Sequence, residues 1–164
     1  MTQIIVREIR NNFINTIGLI RDTINNFDDE KWRKEYTWFQ VPVRVARHTI
    51  ECLDFYFKEQ GAPFSWDTRF GRPYWETPND EQPSQAELVA YLDDLEARIE
   101  TIFAAMRDEE LGEIYDNTAE KPVTKIAHYL YALRHTVHHN GSLVALADIL
   151  GVPSGDWDKW ALYD

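Results

Sequence analysis

Hydrophobic residues recur at intervals of three and four along most of the chain, the spacing that lines one face of an α-helix. The first such stretch runs from Gln3 to about Phe27 and predicts a helix with six apolar side chains on one face: Ile9, Phe13, Ile17, Ile20, Ile24 and Phe27. The second stretch can begin at Pro42, because proline fits the first turn of a helix, and would end at Gln60-Gly61, because glycine readily closes a helix.

Two further helices follow in the second half of the chain. Ser84 and Glu87 have the spacing of a capping box, which marks the start of the third helix. The fourth pattern begins near Pro122 and continues to Leu150, where Gly151 supplies a stop signal. No stretch shows the alternation of a β-strand, so the sequence predicts four helices.

Residues 61–83 separate the second helix from the third and contain four prolines and two glycines, which predicts a long crossover loop. Four helices with one long connection favour an all-α bundle of the crossover type. With 164 residues, 44% of them apolar, we expect one domain over residues 1–164. The loop also carries five aromatic residues, which could cover a pocket or simply seal the loop onto the bundle: Phe64, Trp66, Phe70, Tyr74 and Trp75.

The charge balance restricts the partners of the protein. Its 28 acidic and 17 basic side chains give a formal net charge of -11, which repels the phosphate backbone of nucleic acids. The N-terminus has no signal-peptide pattern, and no apolar stretch approaches the ~20 residues that span a bilayer. We therefore expect a soluble, cytoplasmic protein with neither a nucleic-acid nor a membrane partner.

The segment 134–143, RHTVHHNGSL, holds three of the five histidines. On a helix His135 and His139 share one face, and His138 lies about 60° away from it. That face also carries Leu143, so it points into the bundle, where buried imidazoles need partners. Histidines four residues apart can bind one metal ion; alternatively, each ring forms a hydrogen bond with a carbonyl or a carboxylate.

The second predicted helix supplies a candidate third ligand, His48. Three histidines would leave coordination positions open for water or substrate. His128 lies ~10 Å along the helix axis from this site and is too far away to bind the same ion. Glu51 could orient a ligand or act as a base, or be a solvated charge. Cys52, the single cysteine, could be a thiolate ligand or simply a buried packing residue.

The fourth helix has a second apolar stripe, opposite the histidines. A helix that is apolar on two sides is central or lies at an interface, and no helix is central in a four-helix bundle. We therefore expect this stripe to contribute to a homodimer: Ile126, Leu130, Leu133, Val137 and Val144.

The histidine pattern resembles that of a known family. Segment 135–143, HTVHHNGSL, is similar to the last-helix motif of the DinB-like superfamily, and His48 with the acidic and aromatic residues after it looks like the family's first-ligand segment. The chain departs from the motif at Thr136, where the family usually has Glu, and at Ser142, where it usually has Gln.

This resemblance implies a bundle in up-down-down-up order and a divalent metal, often zinc or nickel, bound by His48, His135 and His139. Characterised relatives include S-transferases that use low-molecular-weight thiols such as bacillithiol or mycothiol, and a related maleylpyruvate isomerase.

The resulting expectation is a metal-dependent enzyme in which a thiol or a water molecule becomes a nucleophile that attacks a small electrophilic substrate. Glu51 and His138 are the candidates for proton transfer. Two alternatives are a non-catalytic, metal- or small-ligand-binding stress-response module and an interaction protein with purely structural histidines.

Overall fold

The computed structural model describes residues 3–37, 40–66, 69–116 and 120–161. This part of the chain contains no β-strand, and the predicted all-α bundle with a long crossover loop is confirmed. The helices are α1 (Ile4–Asn26), the short α2 (Asp29–Trp32), α3 (Pro42–Tyr56), α4 (Gln85–Ala105) and α5 (Lys125–Ile149).

The capping signals place two of the helix starts. Ser84 and Glu87 form the predicted capping box, in which Glu87 Oε2 accepts the Ser84 N–H at 2.8 Å. Helix α5 begins three residues after the predicted Pro122, because Thr124 caps it and accepts the N–H of Ala127. A side-chain oxygen that satisfies an otherwise unpaired N–H therefore marks both starts.

Helix α3 ends at Tyr56, four residues before the predicted Gln60. The N–H of Phe57 bonds to the carbonyl of Asp54 at 3.2 Å, which tightens the last turn, and the buried Phe57 side chain holds the chain against the core. Gly61 does adopt the left-handed conformation, with φ of 73°, but in a separate turn after the helix.

The four long helices pack in a ring. Helices α1 and α3 each lie against both α4 and α5. Helix α5 therefore lies at the side of the described bundle and not at its centre. The apolar face predicted for α1 is buried throughout, with Phe13, Ile17, Ile20 and Ile24 fully enclosed. No described helix is long and apolar enough to cross a membrane. The contact between α3 and α5 is the one that brings the histidines together.

A buried arginine on α3 fixes the crossover loop, although no pattern in the sequence marks this residue as buried. The guanidinium of Arg47 is fully enclosed and donates from Nε to Oε1 of Glu51 at 2.7 Å. Its Nη1 donates to Gln82 Oε1 at 3.0 Å and to Thr77 Oγ1 at 3.3 Å, and its Nη2 donates to the carbonyl of Arg72. Three loop residues are thereby attached to one side chain of α3.

A tight contact joins α1 to the C-terminal segment. A Cβ at Gly18 would lie 2.4 Å from the ring of Trp160, whose indole N–H donates to Asp22 Oδ2 at 2.7 Å. We expect Gly18→Ala to displace this ring and to lower the free energy of unfolding by about 1–3 kcal/mol. Urea unfolding followed by tryptophan fluorescence measures the free energy of unfolding, and the emission of the native state reports the displacement of the ring.

Gly141 provides the matched control, since a Cβ there would meet nothing within 4 Å. Gly141→Ala should raise the free energy of unfolding by about 0.5–1 kcal/mol, because alanine is the better helix former. Equal stabilisation by the two substitutions would show that the Trp160 ring leaves room for a side chain at Gly18.

Candidate metal centre

The structure brings together the three predicted ligands. His48 on α3 faces His135 and His139, which lie one turn apart on α5. Nε2 of His139 is 3.2 Å from Nε2 of His48 and 3.2 Å from Nε2 of His135. All three rings are partly buried, so their polar atoms have limited access to water.

The spacing of these nitrogens fits a shared ion better than it fits hydrogen bonds. A ring nitrogen of a neutral imidazole either donates one hydrogen bond or accepts one, so Nε2 of His139 cannot serve two equal neighbours with good geometry. A tetrahedral zinc ion ~2.0–2.1 Å from each nitrogen would separate two of them by about 3.4 Å, close to the observed spacing. One ion would also use all three ring lone pairs together.

Electrostatics keep these imidazoles neutral at neutral pH, the form that binds metal. Burial, with a smaller contribution from the charge of His135, lowers the pKa of His48 to about 4. Burial and the neighbouring histidines likewise lower the pKa of His139 to about 4. The pKa of His135 is also lowered, mainly by burial and then by His138. Protonation therefore competes with metal binding only below the usual histidine range.

Cys52 belongs to a second possible ligand set. Its Sγ and one nitrogen each from His48 and His135 lie within 4.8 Å of one another. However, Sγ is 3.6 Å from both ring nitrogens of His48. A thiolate that shared an ion with one ring nitrogen would be clearly farther from the other ring nitrogen, because the ion lies on the outward lone-pair axis. The equal distances show that Sγ is not placed to share an ion with either nitrogen of His48. Burial also raises the pKa of Cys52 to about 12, which favours the neutral thiol. The set of His48, His135 and His139 therefore stays our prediction for the ligands, with the set that contains Cys52 as its alternative.

Three tyrosines surround the histidines, one each from α3, α5 and the aromatic crossover loop, which the sequence led us to expect over a pocket. The rings of Tyr56 and Tyr131 flank His135, with centroids 5.6 and 6.1 Å away, and Tyr74 of the crossover loop lies 4.9 Å from His48. Tyr131 precedes His135 by four residues, a helical spacing that could have indicated its position. Nδ1 of His135 is buried without a hydrogen-bond partner among the described residues. The orientation of the His135 ring therefore depends on its packing against Tyr56 and Tyr131.

One cavity borders the histidine cluster, and a second lies farther along α5, around His128. The first, of about 560 Å³, is lined by His138, His139 and Ser142 together with apolar residues. The second, of about 550 Å³, is lined mainly by aromatic residues, among them Tyr56 and Tyr131, which flank His135. The first cavity therefore offers space for a small molecule directly beside His139, whereas the second lies beyond the two tyrosines that flank His135.

The other predicted site residues take different positions. His138 is exposed and borders the same cavity as His139. His128 stands apart, stacked 3.5 Å from Tyr115 with its Nε2 bonded to the carbonyl of Tyr56 at 2.9 Å. Glu51 pairs with Arg47 and, among the described residues, belongs to no group close enough to share a metal ion.

The departures from the family motif are accounted for locally. The hydroxyl of Thr136 is buried and donates to the carbonyl of Ala132 at 2.8 Å. Ser142 donates to the carbonyl of His138 at 3.3 Å. Both hydroxyls therefore bond to the backbone of α5 and not to the three histidine rings.

An all-α bundle with three histidines converging from two neighbouring helices is the architecture of a helical-bundle metalloprotein. The family model described as DinB family matches residues 5–163, nearly the whole chain. The chain belongs to the DinB family. Comparison with curated proteins gives no match.

Proposed function

We propose that the protein is a metal-dependent enzyme of the thiol S-transferase type, in which His48, His135 and His139 bind one divalent ion, zinc or nickel. The observation that carries the proposal is that Nε2 of His139 lies 3.2 Å from Nε2 of His48 and 3.2 Å from Nε2 of His135. Three imidazoles leave coordination positions open, as catalytic sites require. When bound, such an ion supplies Lewis acidity that lowers the pKa of a thiol or a water molecule.

The residues around the histidines suit a reaction between two small molecules. The aromatic cavity beside Tyr56 and Tyr131 offers an apolar wall for an electrophilic substrate. The cavity beside His139 offers His138 and Ser142 as polar contacts for a low-molecular-weight thiol. His138 is exposed there and is the better candidate to take up the thiol proton, because Glu51 is engaged by Arg47.

A transfer assay tests this function. The zinc- or nickel-loaded protein is mixed with bacillithiol, mycothiol or cysteine and the electrophile 1-chloro-2,4-dinitrobenzene. In the reaction a carbon–sulfur bond forms, chloride leaves, and the thiol proton passes through His138 to solvent. We expect enzymatic consumption of at least one thiol and a loss of about 10²-fold or more in kcat for His138→Gln with metal content unchanged.

A metal-loaded protein that turns over none of these thiols would contradict the catalytic proposal. That result would favour the alternative, a module that binds metal or a small ligand without turnover. His135→Ala is the control, since the proposal requires it to lose metal and activity together.

We also propose that the protein is a cytoplasmic homodimer, with no nucleic-acid partner, joined through the apolar stripe on α5. Leu130 is 51% exposed and Val137 is 50% exposed. Sedimentation velocity at micromolar concentration should show a dimer, and Val137→Glu should shift it to a monomer. Ile5, 49% exposed on α1, supplies the control, because Ile5→Glu should leave the dimer intact. A monomeric unsubstituted protein would contradict the proposal.

A further inference from the structure

A cavity of about 280 Å³ lies away from the histidines, between α3, α4 and the crossover loop. Glu51 lines it from α3 and Tyr91 from α4, and Phe64 and Trp66 line it from the loop. The aromatic walls are fixed by neighbouring rings, since Trp66 stacks on Phe55 with centroids 6.0 Å apart. The cavity thus combines an apolar surface with an acidic side chain.

One carboxylate oxygen of Glu51 has no hydrogen-bond partner in the part of the chain that the structure describes. Its Oε1 accepts from Arg47 at 2.7 Å, but Oε2 is buried and accepts no hydrogen bond from the described residues. The residue is only 3% exposed, so bulk water does not compensate this oxygen. A buried acceptor without a donor is destabilising, and a donor on a bound molecule would remove this cost.

The other charged groups of the cavity are already engaged with one another. Asp54 accepts from Tyr91 and from Arg98, and Arg69 donates to Asp94 at 2.8 Å. None of them supplies the donor that Glu51 lacks. Among the described residues, the carboxylates here also form no group close enough to share a metal ion. The missing partner is therefore better supplied by an organic molecule.

We propose that this cavity binds a small organic ammonium ion, whose N–H donates to Oε2 of Glu51 and whose apolar body lies against Phe64 and Trp66. A positive charge suits both surfaces, because aromatic faces attract cations and a charged donor strengthens a hydrogen bond to a carboxylate. Burial raises the pKa of Glu51 to about 7 despite Arg47, so its anion gains from a further cationic donor. This site is independent of the metal-dependent function proposed above.

The test uses phenethylammonium as the probe and 2-phenylethanol as its neutral counterpart, with binding to the full protein measured by calorimetry or ligand-observed NMR. We expect phenethylammonium to bind about tenfold or more tightly than the alcohol, which corresponds to one charge-assisted hydrogen bond. Glu51→Gln should weaken binding by a similar factor, because the amide can still accept from Arg47 but replaces Oε2 with a donor.

Three further variants make the test decisive. Glu59→Gln removes the same charge from an exposed position and should leave binding unchanged. Trp66→Ala should weaken binding through loss of the wall, and it serves if Glu51→Gln does not fold. His135→Ala should leave binding unchanged, which separates this site from the metal centre.

Equal binding of the alcohol and the ammonium ion would overturn the proposal, as would binding that neither Glu51→Gln nor Trp66→Ala weakens. Absence of phenethylammonium binding to the unsubstituted protein, with only ordered water at Oε2 in a crystal soaked with the probe, would overturn it as well.

Discussion

Replacing His139 by alanine is expected to abolish metal binding, because Nε2 of His139 is the atom that both other ring nitrogens approach at 3.2 Å. Loss of this ligand should leave the purified protein without zinc and lower its zinc affinity by at least about 100-fold, because even changes to residues that only contact the ligands cost about 10–100-fold. Elemental analysis of the purified, untagged variant and competitive titration with a chelator measure the content and the affinity.

Cys52→Ala is the matched control for this experiment. Its Sγ lies 3.6 Å from both nitrogens of His48 and is aligned with neither, so its removal should leave the metal in place. The reverse result, with metal lost in Cys52→Ala and kept in His139→Ala, would establish the set of His48, Cys52 and His135 instead.

Arg47→Ala is expected to destabilise the fold strongly. The guanidinium is fully buried and joins Glu51 to three residues of the crossover loop. Removal of one partner leaves the Glu51 carboxylate buried without its counterion, which typically costs about 3–5 kcal/mol. Urea unfolding monitored by circular dichroism gives the change in the free energy of unfolding.

Arg44 is the matched control, one turn earlier on the same helix. It is only partly buried and donates to the side chain of Asn79 and to the carbonyls of Tyr74 and Thr77, with no carboxylate among these acceptors. Arg44→Ala should cost about 1–2 kcal/mol, because its acceptors can turn to water. Equal decreases in the free energy of unfolding for the two variants would show that the buried charge of Glu51 adds nothing to the cost of losing Arg47.

The sequence predicted the long helices well where a local signal marks them. The capping box at Ser84 and the apolar face of α1 depend only on neighbouring residues, and both are confirmed. The short helix α2 was missed, although Asp28 caps it and accepts the N–H of Lys31 at 2.8 Å. The end of α3 was also missed, because the burial of Phe57 outweighed the signal at Gly61.

The candidate site was only partly accessible to sequence reasoning. The spacing of His135 and His139 places two rings on one helical face, so their proximity follows from helix geometry. The approach of Tyr74 to His48 depends on how the crossover loop packs, which no local pattern encodes. The burial of Arg47 was likewise hidden, because its acceptors Thr77 and Gln82 are distant in sequence.

Glu51 shows how tertiary contacts change the interpretation of a residue. From the sequence it was a candidate base or a solvated helix charge. In the structure it is 3% exposed and paired with Arg47, and it lines a cavity on the α4 side of α3. Its role in proton transfer stays a prediction, whereas its unpartnered oxygen supports a role in ligand binding.

X-ray absorption spectroscopy of the zinc-loaded protein tests the central claim most directly, because it identifies the atoms around the ion. The three-histidine site predicts imidazole nitrogens at ~2.0–2.1 Å with a further light ligand and no sulfur. A sulfur shell at ~2.3 Å, or a protein that retains no zinc after dialysis, would contradict it.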